Sequence, residues 1–322
     1  MTFARSTLLN IFLSHIDVPP DEVRFRPIRT GKHNISYWVD VENAPNYVLR
    51  IAPPDDAGLL FYERRMMRQE PTLHRLIRQH TEIPVAEVVG YDFERKHIDR
   101  DYVIMRSLPG TALSEISQMH DGARRRKLHQ DDRYMRELHG LVSTAHMGQR
   151  RYGYLGEHRP MSPAPTWVEA FETMWNALLD DVVACGSYND QEAQCMRELF
   201  QTHRSAFDRS VEPRLLHMDV WAQNILVDQM GKITGLVDFD RALWGDVEIE
   251  FAVLDYCGIS EPSFWQGYGS TRDTSDAALI RRQFYLLYEI QKYMPIRVWR
   301  QNNPASARRY KRQSLQMAKA LA

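Results

Sequence analysis

Leu216-His217-Met218-Asp219-Val220-Trp221-Ala222-Gln223-Asn224-Ile225-Leu226-Val227-Asp228, followed by Gly235-Leu236-Val237-Asp238-Phe239-Asp240, holds the residues that decide how this 322-residue chain folds. Two short apolar runs, 224–228 and 232–238, flank Gln229-Met230-Gly231 and predict a β-hairpin. With the turn centred near Met230 and Gly231, antiparallel pairing returns position 238 to the level of positions 223 and 224. The amide oxygen of Asn224 and the carboxylate of Asp238 then meet at one end of the hairpin. A few hard oxygen ligands, with room left for water and phosphate oxygens, suit Mg²⁺ held jointly with a nucleotide. Asp219 lies five residues before Asn224 on the loop feeding that end. A carboxylate there can accept the proton of an acceptor hydroxyl and aim its oxygen at a phosphoryl group.

Upstream of this island the texture is that of a sheet. Val23–Arg29, Ile35–Val41 and Tyr47–Ile51 are rich in β-branched and aromatic residues and are separated by turn-forming segments, which predicts an antiparallel meander. An apolar pattern of helical spacing runs from Leu59 to Arg78, with Pro71 at a kink or a new first turn. Ala86–Asp92 and Tyr102–Arg106 complete the strands. Beyond Gly110 the pattern is helical: Ala123–Met147, Pro165–Cys185, Asp190–Asp208, Ala277–Tyr293 and Ala305–Leu321. The expectation is an α+β, bilobal architecture, with a small antiparallel-sheet lobe over residues 1–106 and a larger, mostly helical lobe over 107–322 that carries the hairpin.

The H-x-D-x-x-x-x-N string with a strand-borne D-F-D resembles the aminoglycoside phosphotransferase and choline kinase superfamily, the small-molecule branch of the protein-kinase-like fold. The resemblance spans about residues 25–292 and is strongest from Leu215 to Ala252. His217-Met218-Asp219 and Asp238-Phe239-Asp240 stand where protein kinases have H-R-D and D-F-G, which points away from protein substrates. The resemblance implies a transferase using ATP and Mg²⁺, with Asp219 as the catalytic base or hydroxyl-orienting carboxylate and Asn224 and Asp238 as metal ligands. His217 is expected to hold the loop by hydrogen bonds, and Asp240 either supports the ligands from behind or is itself a further ligand. Gly245-Asp246-Val247-Glu248-Ile249-Glu250-Phe251-Ala252 is similar to the family's G-D-P-x-x-D-L-A segment. Asp246 would brace the site, while Glu250 replaces the usual Asp and receives no role.

On the nucleotide side, the resemblance places Gly31, Asn34 and Ser36 in the turn that covers the phosphates, offering backbone and side-chain donors. Arg50 on the third strand stands where the family has a phosphate-binding Lys; it keeps the charge and adds a planar fork. Its carboxylate partner is expected to be Glu70, with Glu63 as the alternative. Met105 would line the adenine pocket, and the backbone of Arg106 and Leu108 would pair with the base. Gly31-Lys32 lacks the upstream glycine spacing of a Walker A loop, and H-E-x-x-H, G-x-S-x-G and G-x-G-x-x-G are missing from the sequence.

Charge and composition narrow the partners. Lys and Arg number 41 against 42 Asp and Glu, so neither a nucleic acid nor a membrane surface is an expected partner. No segment approaches the ~20 apolar residues of a membrane helix, and the short apolar run Leu8–Leu13 lacks a cleavage pattern. Cys185, Cys195 and Cys257 predict free thiols in a reducing, cytoplasmic setting. The balance is uneven along the chain, since residues 281–322 carry ten Lys/Arg against the single Glu289. Acidic residues Glu169, Glu172, Asp180, Asp181, Asp255, Glu261 and Asp273 fall in segments that surround the acceptor in the family, so a cationic, amine-bearing acceptor is one expectation. The hydroxyl acceptor is expected to be an antibiotic such as an aminoglycoside, or else choline, homoserine or a sugar; a scaffold that binds ATP without turnover is the third reading.

Overall fold

The computed structural model describes residues 3–30, 33–55, 58–116, 132–155, 164–260 and 262–321. Five antiparallel strands, β1 (Val23–Ile28), β2 (Ile35–Val41), β3 (Tyr47–Ile51), β4 (Val88–Asp92) and β5 (Tyr102–Arg106), pair in the order β1-β2-β3-β5-β4. Because side chains alternate across a strand, β3 sends Tyr47, Leu49 and Ile51 to one face and Val48 and Arg50 to the other. The first face packs under the helix Arg5–Leu13 through Leu8, Ile11 and Phe12. Arg50, in the middle of the sheet opposite Ser36 and Val103, is thereby aimed at the cleft.

The segment expected as one helix from Leu59 to Arg78 is broken. A 3₁₀ turn, Met66–Gln69, follows the left-handed Arg65, and the α-helix runs only from Glu70 to His80. Pro71 sits in its first turn, where its missing N–H costs nothing. A second correction concerns Ala123–Met147, whose beginning lies outside the described residues. Residues 132–140 are helical, but the helix stops at Gly140, and the backbone of Leu141 and Val142 pairs with Leu215 and Arg214 before a single turn at Ser143–His146.

The helical lobe rests on an aromatic core. Trp167–Ala184, capped by Thr166, packs Trp167, Phe171 and Trp175 against Phe200, Phe207, Phe284, Tyr285 and Tyr288 of the helices behind it. Asp190–His203 begins in a reciprocal capping box of Asn189 and Glu192. After β6 (Thr111–Ala112), β7 (Gly153–Tyr154) and β8 (Arg214–Leu216), the expected hairpin forms as β9 (Ile225–Val227) and β10 (Ile233–Leu236). It pairs with β6, and β11 (Leu243–Gly245) joins β7 and β8. Val247–Tyr256, Asp276–Gln291 and Pro304–Leu321 complete the lobe. Among the described residues no helix is long and apolar enough to cross a membrane.

Candidate active site

A cleft of about 810 Å³ opens between the sheet and the helical lobe, and the hairpin end lies on its floor. Val237 N–H donates to the Asn224 carbonyl at 3.0 Å, so Asn224 and Asp238 arrive side by side as antiparallel pairing requires. Asn224 Nδ2 donates to the backbone and side-chain oxygens of Asp219 at 2.9 and 3.0 Å, leaving the amide oxygen for another partner. Met218 and Asp238 both have positive φ, 65° and 70°, a left-handed backbone that bulky side chains rarely adopt and that here flanks the candidate chemistry.

The loop bearing Asp219 is held from behind. Glu250, fully buried, accepts the N–H groups of His217 at 2.6 Å and Met218 at 3.0 Å. His217 Nδ1 accepts from Asp219 N–H at 3.3 Å, so its Nε2 carries the proton and donates to the Val237 carbonyl at 3.1 Å. Burial lowers the His217 pKa, so the ring is a neutral strut between the Asp219 loop and the strand leading to Asp238. Arg241 reaches the Met218 carbonyl at 2.7 Å and stands 3.5 Å from Asp219. Asp246 caps Val247–Tyr256 and receives Arg209 and the Tyr285 hydroxyl, bracing the helix that carries Glu250. The sequence reading passed over Glu250 as a mere departure. An acidic residue one helical turn beyond the Asp246 cap, in an otherwise apolar run, was the available signal.

Arg50 ties the lobes together. Its guanidinium reaches Glu70 at 2.8 Å, Asp238 at 2.6 Å and Asp240 at 2.9 Å. Glu70 is therefore its partner from the helix, while Glu63 is held elsewhere by a two-pronged contact from Arg300 at 2.6 and 2.7 Å. Asn34 donates to Asp240 at 2.8 Å, bringing the β1–β2 turn down onto the hairpin. Burial opposes ionisation of Asp240, but Arg50, a hydrogen bond from the Glu70 carboxyl and the Asn34 amide hold its carboxyl well below the ordinary range. Burial raises Glu70, a shift opposed by Arg50 and reinforced by Asp240. Asp238 keeps 40% of its side chain open to the cleft. Poor solvation there, opposed by Arg50 and reinforced by Asp240 and Asp219, pushes its carboxyl up to about 7. The Asp238 carboxylate and the Asn224 amide oxygen, both on residues that line the cleft, make an oxygen-rich corner whose chemistry suits Mg²⁺.

Gly31 lies outside the described residues. Asn34 and Ser36 line the cleft, as do Met105 and Leu108 at its far end. Arg106 N–H is already given to the Glu87 carbonyl at 2.9 Å, and its side chain turns out to Glu87 and Tyr47. Of the acids expected around the acceptor, Glu261 is outside the described residues and the others face away from the cleft. Glu172 meets Arg204, Asp180 meets Arg197, Asp255 meets Arg272 and Arg282, and Asp273 meets Arg281. Asp181 accepts from Phe61 N–H, and Glu169 returns to its own cap Thr166. The segment from Lys292 to Gln301, which does line the cleft, has no role assigned in the sequence analysis. Its cations and aromatics, Lys292-Tyr293-Met294-Pro295-Ile296-Arg297-Val298-Trp299-Arg300, are the visible signal, and of these Lys292, Tyr293, Arg297 and Arg300 line the cleft, the last two from a π-helical turn at Ile296–Arg300.

The phosphotransferase enzyme family (APH) matches residues 24–279. Probable ketoamine kinases of Vibrio parahaemolyticus and Vibrio cholerae are 38% identical over 80 residues and 33% identical over 84. These matches cover 24% and 26% of this chain and 26% and 28% of the relatives, so the chain matches about a quarter of their length. Among solved structures, aminoglycoside phosphotransferase APH(4)-Ia is similar with a TM-score of 0.65, 16% identity and coverage of 99% of this chain and 100% of that one. A thermostable mutant of the same protein, in a ternary complex with AMP-PNP and hygromycin B, gives 0.63 at 17% identity, covering 98% and 99%. At such identity the likeness establishes the two-lobed, protein-kinase-like fold.

Proposed function

Because this chain belongs to the phosphotransferase enzyme family, we propose that it moves the γ-phosphate of ATP to a hydroxyl of a small molecule. The observation that carries this reading is the meeting of Asp219, Asn224 and Asp238 beside Arg50 on the floor of one cleft. Asp219 orients the acceptor hydroxyl and takes its proton as the oxygen attacks phosphorus. Asn224 and Asp238 would hold Mg²⁺, which supplies neutralisation of the phosphate oxygens when bound. Arg50, positioned by Glu70, contributes a fixed cation on the nucleotide side, and Asn34 and Ser36 donate from the covering turn. The backbone of Leu108 would pair with the base, since the Arg106 N–H is already spent on the Glu87 carbonyl. The transition state of phosphoryl transfer is loose, so alignment and charge neutralisation do most of the work.

A metabolic acceptor is favoured over an aminoglycoside by the cations Lys292, Arg297 and Arg300 at the acceptor end, which oppose a polycationic ligand. The ketoamine kinase relatives support the same preference. Mg-ATP turnover across hydroxylated metabolites and antibiotics tests the proposal, with Asp219→Asn as control. The variant should lose about 10²–10⁴-fold in kcat with nucleotide affinity retained. Full activity in the variant, or no phosphorylated product from the intact enzyme, refutes it.

A further inference from the structure

The charges at the acceptor end do not balance. Arg241, Lys292, Arg297 and Arg300 enter the cleft there. The carboxylates that meet them are Glu289, Glu63 and Asp219. Glu289, buried behind the wall, takes Arg241 at 3.2 Å and also Lys292, while Glu63 takes Arg300 with both oxygens and Asp219 stands 3.5 Å from Arg241. Arg297 has no carboxylate partner among the described residues. Its Nη1 donates to the neutral Gln301 side chain, and its guanidinium carbon lies 5.8 Å from the ring centroids of both Tyr293 and Tyr310. Its Nε is buried without any hydrogen-bond acceptor. Tyr293 also lies 4.9 Å from the Lys292 ammonium, so one ring carries both cations. The Tyr310 side chain also hydrogen-bonds Arg297, so its neighbours are neutral. A half-buried guanidinium that lines a cleft on aromatic faces without a carboxylate partner is a good anion receptor, because its planar fork matches a carboxylate or a phosphate.

We propose that the acceptor molecule carries an anionic group, a carboxylate or a phosphate, that docks on Arg297 at the helical wall while its hydroxyl lies at Asp219. The proposal rests on the phosphotransferase reading above and reverses the expectation of a cationic acceptor. The region that would receive an amine already bears an uncompensated positive charge. An added ammonium would be repelled, whereas an anion would supply the carboxylate or phosphate partner that Arg297 lacks. Trp221, Tyr256 and Tyr293, which also line this end, would cover the apolar body of such a molecule.

The test uses the full chain loaded with Mg-AMP-PNP and polyhydroxylated compounds that carry an anionic, a neutral or a cationic group. Gluconate, glucose 6-phosphate, gluconamide and glucamine are compared by thermal shift and by competition in any turnover assay that the acceptor screen yields. Gluconate or glucose 6-phosphate should raise the melting temperature where gluconamide and glucamine do not, and which of the two is stronger separates a carboxylate from a phosphate. Arg297→Gln should abolish that difference and raise KM for the anionic acceptor about tenfold or more at little cost in kcat. Arg297→Lys should keep part of it, and Arg308→Gln, on the exposed face of the last helix, should keep all of it. Equal responses to gluconate and gluconamide, preference for glucamine, or a loss of AMP-PNP affinity in Arg297→Gln in place of acceptor discrimination would overturn the proposal. Failure of the phosphotransferase reading shows itself separately, as absence of AMP-PNP binding or of any Asp219-dependent transfer.

Discussion

Replacing Arg50 by Met removes the cation shared by Glu70, Asp238 and Asp240 while keeping most of the side-chain volume. Arg50 is 9% exposed, Glu70 is fully buried and Asp240 is 5% exposed, so solvent cannot take over the neutralisation. Stripping one partner from a buried ion pair costs about 3–5 kcal/mol; here Asp240 loses the cation that keeps it ionised, and Glu70 loses the cation that opposes its raised pKa. They have one means of relief, which is to bind protons. In the variant their folded-state pKa values rise above the ordinary carboxylate range. Their contribution to stability is then fully present below the unfolded-state pKa and is lost as pH rises through the raised values. In the native protein Asp240 behaves in the opposite sense: its lowered pKa contributes stability present above its unfolded-state value and lost on acidification. The stability gap between native protein and Arg50→Met should therefore widen as pH rises from about 5 to about 8, reaching about 3–5 kcal/mol at the upper end. Urea unfolding followed by circular dichroism at several pH values measures it. A gap below about 1 kcal/mol, or one independent of pH, would show that Asp240 does not depend on Arg50 for its charge. Arg50→Lys, which keeps the charge but not the fork, should fall between the two, losing about 1–2 kcal/mol.

Glu250→Gln can accept only one of the two loop amides and turns a donor toward the other; it should cost about 1.5–3 kcal/mol in unfolding experiments and lower kcat while the KM for ATP stays close to native. Because Asp238 must be ionised to ligate a cation, Mg²⁺-dependent AMP-PNP affinity measured by calorimetry should strengthen as pH rises through about 7, a step that Asp238→Asn should remove. The same raised pKa makes the Asp238 contribution to folding largest below its ordinary carboxylate range and lost as pH rises through about 7. Arg300→Gln should release Glu63, lower stability by about 1–2 kcal/mol and raise the KM for ATP severalfold through the loosened His33 end of the phosphate turn.

How much was legible beforehand varied with the range of the interaction concerned. The hairpin at 225–236 and the three strands from Val23 to Ile51 follow from residue type, turn chemistry and period-two alternation, all of which act over a few residues. The helix expected from Leu59 was misread because apolar residues 59–67 are buried by contacts with the helical lobe, such as Phe61 N–H on Asp181, and not by helical periodicity. The long helix ending at Met147 failed for the same kind of reason: Leu141 and Val142 pair with residues 214 and 215, more than seventy positions away. The acids read as an acceptor wall were identified by segment, whereas the faces they occupy are set by how the helices pack.

By itself the sequence determined the order of the elements and which candidate groups would meet: Asp219, Asn224 and Asp238 at hairpin spacing, a sheet before them and helices around them. Those are consequences of local geometry, since a tight turn fixes which residues of two adjacent strands stand level. Only the tertiary structure decided that Arg50 spans three carboxylates, that Glu70 and not Glu63 is its helical partner, that Glu250 holds the loop bearing Asp219, and that Arg297 has no carboxylate partner among the described residues. Each of these is a question of pairing among many possible partners far apart in the chain. A charge becomes structural, catalytic or available to a ligand according to which opposite charges the packed lobes bring within reach.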